Sequence, residues 1–325
     1  MSATLEPHHR RLMIGAGLCL ALLVMLSLAI GVQELSLSGT EVAMPFADLV
    51  AISRLPRTLA AVLCGAGLAV AGQIMQTLTR NRFVEPSTAG TAQSAALGIL
   101  IVTLFLPAAG LGLKALVASG CALAGTALFL ATAHRLPPEQ PHLVPLFGLV
   151  YGGVVGAAVT YVAWQTDLLQ YLDIWTNGEF SGVLKGRYEL LFVAVVIVAS
   201  AILIADRLTI MALGEDQATS LGIDYSRMTQ IGLVLVSVMS ALSVVVVGLI
   251  PFVGLVVPNL VSRISGDNLR GTLPLVALGG AILVLASDIA GRIMRFPYEI
   301  PVGTVMGVIG PAVLLWFILR ERRDA

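Results

Sequence analysis

Charge is what this 325-residue sequence has least of. Only 12% of its residues are Asp, Glu, Lys or Arg, against 57% hydrophobic and a mean hydropathy of +0.93. A water-soluble domain carries about 25% charged residues, so this chain has too few to cover a surface facing water. Lys+Arg and Asp+Glu balance at 19 each, and no net field invites nucleic acid. Cysteine is sparse as well. Cys19, Cys64 and Cys121 all sit inside apolar runs, which fits small packing residues rather than a disulfide framework or a metal site. There is no G-x-x-x-x-G-K-[ST] loop, so the chain does not bind ATP in the Walker manner. H-E-x-x-H and G-x-S-x-G are missing too. The histidines, His8, His9, His134 and His142, lie at a terminus or near one loop. No catalytic residue, metal or cofactor is expected. With no Ser/Gly linker, low-complexity stretch or internal repeat, residues 1–325 read as one domain.

What is present is a series of apolar runs. A bilayer core needs roughly 20 apolar helical residues. Polar breaks divide the chain into ten candidate spans, at about 12–32, 57–78, 88–106, 112–133, 143–164, 189–206, 228–248, 252–264, 272–292 and 301–319. The expected fold is all-α, a polytopic membrane protein with about ten transmembrane helices in contact with lipid. The first run is longer than a signal-peptide core and lacks an A-x-A cleavage pattern, so it is expected to be retained. With the N-terminus inside, 12 of the 19 Lys and Arg fall in cytoplasmic loops and seven outside, which places both termini in the cytoplasm. Gly148, Gly152 and Gly156, like Gly67–Ala71 and Gly303–Gly307, recur every fourth residue, a spacing that lets helices approach closely in lipid. This is close packing within one subunit or a seam between two.

One polar island interrupts the grease: GEDQATSLGID, residues 214–224, inside a cytoplasmic segment of about 207–227. Glu215 and Asp216 favour the positive end of a short helix, and Gly222 can adopt the left-handed conformation that ends one. Ala218 and Leu221 stand three apart on a shared face. The stretch is either a solvated loop or a small knob for a soluble partner.

Three further stretches carry character. In SRLPRT, residues 53–58, Pro56 suits a helix start. Arg54 and Arg57 flank it on the expected outer surface, where they anchor the helix at the interface or pair with carboxylates of another protein. Gln73 and Gln76 lie within the span and must face protein or a cavity. In GLIPFVGLVVPNLVSR, residues 248–263, Pro251 and Pro258 argue for a broken helix beside Asn259. Such backbone is tolerated at membrane depth only where protein or a cavity covers it, and transporters use it along their pathways. In SDIAGRIMRFPYEIPVGTVMG, residues 287–307, Asp288 and Arg292 stand one turn apart and can pair.

Taken together, RLPRTLAAVLCGAGLAVAGQIMQ, GEDQATSLG, IPFVGLVVPNLVSR and EIPVGTVMGVIGP resemble, in order and spacing, the permease subunits of bacterial ABC importers for iron–siderophore, haem and cobalamin complexes. The resemblance covers nearly the whole chain. It implies ten helices, a second permease subunit (identical or paralogous), two cytosolic ATP-binding subunits and an extracytoplasmic substrate-binding protein. It assigns ATPase coupling to Gly214, Glu215, Ala218, Leu221 and Gly222. Docking of the binding protein falls to Arg54, Arg57 and Arg292, and the broken pathway helix to Pro251, Pro258 and Asn259. The chain departs from the family pattern at NRFVEP, 81–86, where N-P-L-A-x-P is usual, and at Asn259, where His is frequent. The PNLVSR…GDNLRG form looks similar to the ferric catecholate branch. A cobalamin or haem permease is the alternative, and an ion-coupled secondary transporter a remote one.

Overall fold

The computed structural model describes residues 7–30, 50–137, 140, 143–295 and 298–324. Residues 31 and 32 of the first expected span, and His142, lie outside them. The described residues are helical and contain no strand. Thirteen α-helices follow one another: α1 (Pro7–Ala29), α2 (Leu55–Thr79), α3 (Thr91–Phe105), α4 (Leu111–Ala133), α5 (Leu143–Gln165), α6 (Leu169–Thr176), α7 (Val193–Leu203), α8 (Ala205–Met211), α9 (Glu215–Ser220), α10 (Tyr225–Val246), α11 (Val253–Ser265), α12 (Leu269–Met294) and α13 (Val302–Asp324).

Six of these are long and apolar enough to cross a membrane, and a seventh span is a pair bent by 64° between Leu203 and Ala205. Three shorter apolar helices, at 91–105, 253–265 and 302–317, account for the remaining expected spans. The ten expected spans thus coincide with ten apolar helical units, three of which are too short to count as full crossings by length alone.

Helix α2 is the axis of the bundle. Its 25 residues extend about 37 Å at 1.5 Å each, and it packs against α12, α11, α10 and α7. Pro56 occupies the first turn, where its missing N–H has no helical partner anyway. Small residues explain the closeness of its neighbours. A Cβ added to Gly65 would lie 2.8 Å from the carbonyl carbon of Gly280 in α12. One added to Gly254 in α11 would lie 2.8 Å from Gly72 Cα. In lipid, where apolar burial between helices contributes little, such backbone contact supplies much of the association. Of the other small-residue pairs, Gly148 and Gly152 pack within the chain against Thr88 and Gly90. Gly307 faces open space.

Candidate functional site

Polar groups gather in three places: the end of the bundle where α2 starts, the opposite end, and a break in α11 between them.

At the first end, Arg57 is shared by two carboxylates. Its Nη2 donates to Asp288 Oδ1 at 2.7 Å and its Nη1 to Glu299 Oε2 at 2.8 Å. Asp288 also accepts from Arg292 one turn along α12, the pairing that their spacing allows. Arg292 donates further to Ser27 Oγ at 2.7 Å and to Ser27 O at 3.1 Å. Arg54 Nη1 reaches Leu28 O at 3.0 Å. These acceptors belong to the last turn of α1, whose final carbonyls have no partners within the helix, and cations at that end also complement its dipole. The expected surface position of the arginines is therefore corrected. Arg54, Arg292 and Asp288 are 7%, 3% and 3% exposed, and only Arg57 keeps an accessible edge. A bare guanidinium is costly at membrane depth, so each is turned onto a carboxylate or an orphan carbonyl. Arg295, by contrast, is exposed and lies over the Tyr298 ring.

At the opposite end lies the polar island. Gly214 takes φ +110°, a backbone that favours glycine, and α9 follows with Glu215 and Asp216 exposed in its first turn. Gly222, at φ +82°, closes the helix. Its N–H donates to Thr219 O at 2.9 Å, while Ile223 N–H reaches Ala218 O at 3.0 Å. These two bonds are the left-handed helix stop expected of a C-terminal glycine. Ala218 and Leu221, three apart, differ in burial. Ala218 is fully buried against the body, whereas Leu221 is 61% exposed. Leu221 caps the helix, its N–H still bonding Gln217 O at 3.1 Å, and its side chain projects from the body.

Arg80 stands next to this island. It ends α2 in the left-handed region at φ +48°, and its Nη1 lies 3.1 Å from where a Gly214 Cβ would sit. A cavity of about 370 Å³ opens beside it, lined among others by Gln73, Gln76, Arg80, Arg82, Asn259 and Ser262. Both in-span glutamines thus border this polar space. Ion pairs Arg82–Asp267 and Arg270–Asp206 mark the same end. Arg54 and Arg57 thus stand at one end of α2, and Arg80 and Arg82 at the other.

The break supplies the third feature. Residues 247–252 leave α10 and enter α11 through Pro251 and Phe252, the latter at φ +67°. Pro258 lies inside α11 and cannot donate to Gly254 O. Gln76 Nε2 donates to that carbonyl instead, at 3.1 Å. Asn259 Nδ2 bonds Leu255 O within the helix and Arg82 O in the connector after α2, at 2.7 and 2.8 Å. Every freed backbone group named here finds a side-chain partner, the condition for irregular backbone in an apolar surround.

Sequence reading missed Glu85 and Arg80. NRFVEP reads as a cytosolic loop, yet Val84, Glu85 and Pro86 are buried. Glu85 is 2% exposed and accepts from Phe252 N at 2.7 Å and from the Ser87 hydroxyl. The available signal was a carboxylate set between Val84 and Pro86.

Three comparisons bear on this arrangement. The profile of the FecCD transport family matches residues 19–320. The petrobactin import system permease protein YclN of Bacillus subtilis (strain 168) is 42% identical over 307 residues, 94% of this chain and 97% of its own. The ferric-anguibactin transport system permease protein FatD of Vibrio anguillarum (strain ATCC 68554 / 775) is 42% identical over 268 residues, 82% and 85% of the two chains. In fold, the chain is similar to a solved inward-facing metal-chelate type ABC transporter. The TM-score is 0.79 at 23% identity, covering 96% of this chain and 99% of the other.

Proposed function

The chain belongs to the FecCD transport family, and on that premise we propose that it is the permease subunit of an ATP-driven importer of ferric siderophores. Two relatives 42% identical to it belong to a petrobactin import system and a ferric-anguibactin transport system, and that likeness carries the substrate class. The chain is a multi-pass transport component. In this reading it sits in the bacterial cytoplasmic membrane with both termini inside. It pairs with a second permease subunit, identical or paralogous, and two ATP-binding subunits hydrolyse the nucleotide.

Coupling runs through α9. A six-residue helix with an acidic start, an exposed Leu221 and a glycine stop at each end suits insertion into a groove on a soluble motor. Gly214, Glu215, Ala218, Leu221 and Gly222 form this handle. Ala218 anchors it to the body while Leu221 meets the partner. Nucleotide binding and release below would then shift the population between outward- and inward-open states.

Docking of the extracytoplasmic binding protein falls to Arg54, Arg57 and Arg292. Arg57 is the accessible member, and Glu299, itself 20% exposed, holds its outer edge. A carboxylate of the docking protein would exchange with Glu299 there, while Arg54 and Arg292 keep the α1 end fixed. Pro251, Pro258 and Asn259 hold the broken segment beside the pathway. Uptake of labelled ferric siderophores and of labelled cobalamin, in a strain lacking this chain and in the complemented strain, tests the proposal. Loss of siderophore uptake alone supports it, and loss of cobalamin uptake alone refutes the substrate class.

A further inference from the structure

Glu85 is a buried carboxylate that none of the roles above uses. It lies in the connector between α2 and α3, which is pulled into the body. Its own backbone is locked: Glu85 N–H donates to Thr88 Oγ1 at 3.1 Å, and Glu85 O accepts from Ala89 N at 3.0 Å. The side chain crosses 167 positions of sequence to accept from Phe252 N at 2.7 Å. Phe252 is the residue that caps the start of α11, where an N–H has no intrahelical acceptor. Phe252 is also a non-glycine residue held at φ +67°. Such a conformation persists only where surrounding contacts over-determine it, and the Glu85 bond is one of those contacts.

The connector has a second attachment. Its first residue, Arg80, abuts Gly214 at the base of α9, and Asn259 ties the next turn of α11 to Arg82 O at 2.8 Å. One short segment, 80–85, therefore touches the proposed handle at one end and the broken helix at the other. We infer that Glu85 is a positioning residue of the transport cycle: it fastens this connector to the start of α11, so that displacement of α9 reaches the break. The inference rests on the reading of α9 as the motor handle. A continuous run of bonded groups between two sites is the physical form that such coupling takes, and a broken helix supplies an element with two arrangements.

The test compares Glu85→Ala with Glu85→Gln in the full complex. Gln keeps an acceptor oxygen within reach of Phe252 N–H, whereas Ala removes it. Two quantities are read: hydrogen exchange of the amides 252–255, and the number of ferric-siderophore molecules imported per ATP hydrolysed in proteoliposomes. Glu85→Ala is expected to raise exchange at least tenfold and to lower the transport ratio at least fivefold while hydrolysis continues. Glu85→Gln is expected to stay within twofold of the native chain on both. Native behaviour of Glu85→Ala on either reading overturns the inference, as does equal impairment of the two variants. Should the alanine variant fail to assemble, Glu85→Asp, one methylene short of Phe252, takes its place with the same expectations. If the native complex imports no ferric siderophore, the proposed function fails. The exchange reading then still decides whether Glu85 holds the break.

Discussion

Gln76 donates to the Gly254 carbonyl at 3.1 Å, the acceptor that Pro258 leaves without a helical donor. The pair joins α2 to α11 where a Cβ on either of Gly72 and Gly254 would collide with the other helix. A break in one helix is thus held by a side chain of the next, and the geometry of each depends on the other.

Replacing Gln76 with Leu strands that carbonyl in an apolar surround, at a cost of about 1–3 kcal/mol. The variant is expected to unfold at lower temperature in detergent, as followed by tryptophan fluorescence. Adding Pro258→Ala restores an N–H donor within α11 and is expected to recover part of the loss.

Asp288 serves Arg57 and Arg292 together. Asp288→Ala leaves two guanidinium groups short of a buried partner, and breaking such a pair costs on the order of 3–5 kcal/mol. Reduced accumulation in the membrane and easier proteolysis near residue 30 are expected, because Arg292 also holds the end of α1. Asp288→Glu is expected to be milder.

Gly72→Val places a branched side chain against the backbone of Gly254, where the nearest atoms leave no room for a Cβ. Overpacking costs roughly 1–3 kcal/mol even where side chains can yield, and backbone yields less. Loss of folded chain on size-exclusion chromatography is expected, whereas Gly307→Ala, which meets open space, is expected to behave as the native chain.

Leu221→Asp puts a charge on the exposed apolar side chain that caps α9. Membrane levels are expected to stay native while import driven by ATP falls at least tenfold. Measuring ATPase co-purification alongside uptake separates failed motor attachment from failed insertion.

Much of the fold was legible because composition and run length respond directly to lipid. All ten expected spans have a helical counterpart, and Pro251, Pro258 and Gly222 mark a break and a stop that follow from missing donors and positive φ. Long-range partners were not legible. No local pattern shows that Gln76 serves Gly254, or that NRFVEP turns Glu85 inward toward Phe252. The arginines illustrate the same limit. Their placement at one end followed from loop charge, but their burial depends on α1 ending beside them. Spacing set Ala218 and Leu221 three apart, but did not show that Ala218 is buried and Leu221 exposed.

The central claim is that this chain is an unpowered gate worked by a separate motor. Purified chain and partner subunits are to be reconstituted in liposomes with labelled ferric siderophore and docking protein at the face expected outside. Accumulation against a gradient is predicted only when the ATP-binding subunits and ATP are present on the other face. Uphill accumulation by the chain without those subunits, driven by a proton or sodium gradient, would contradict the account.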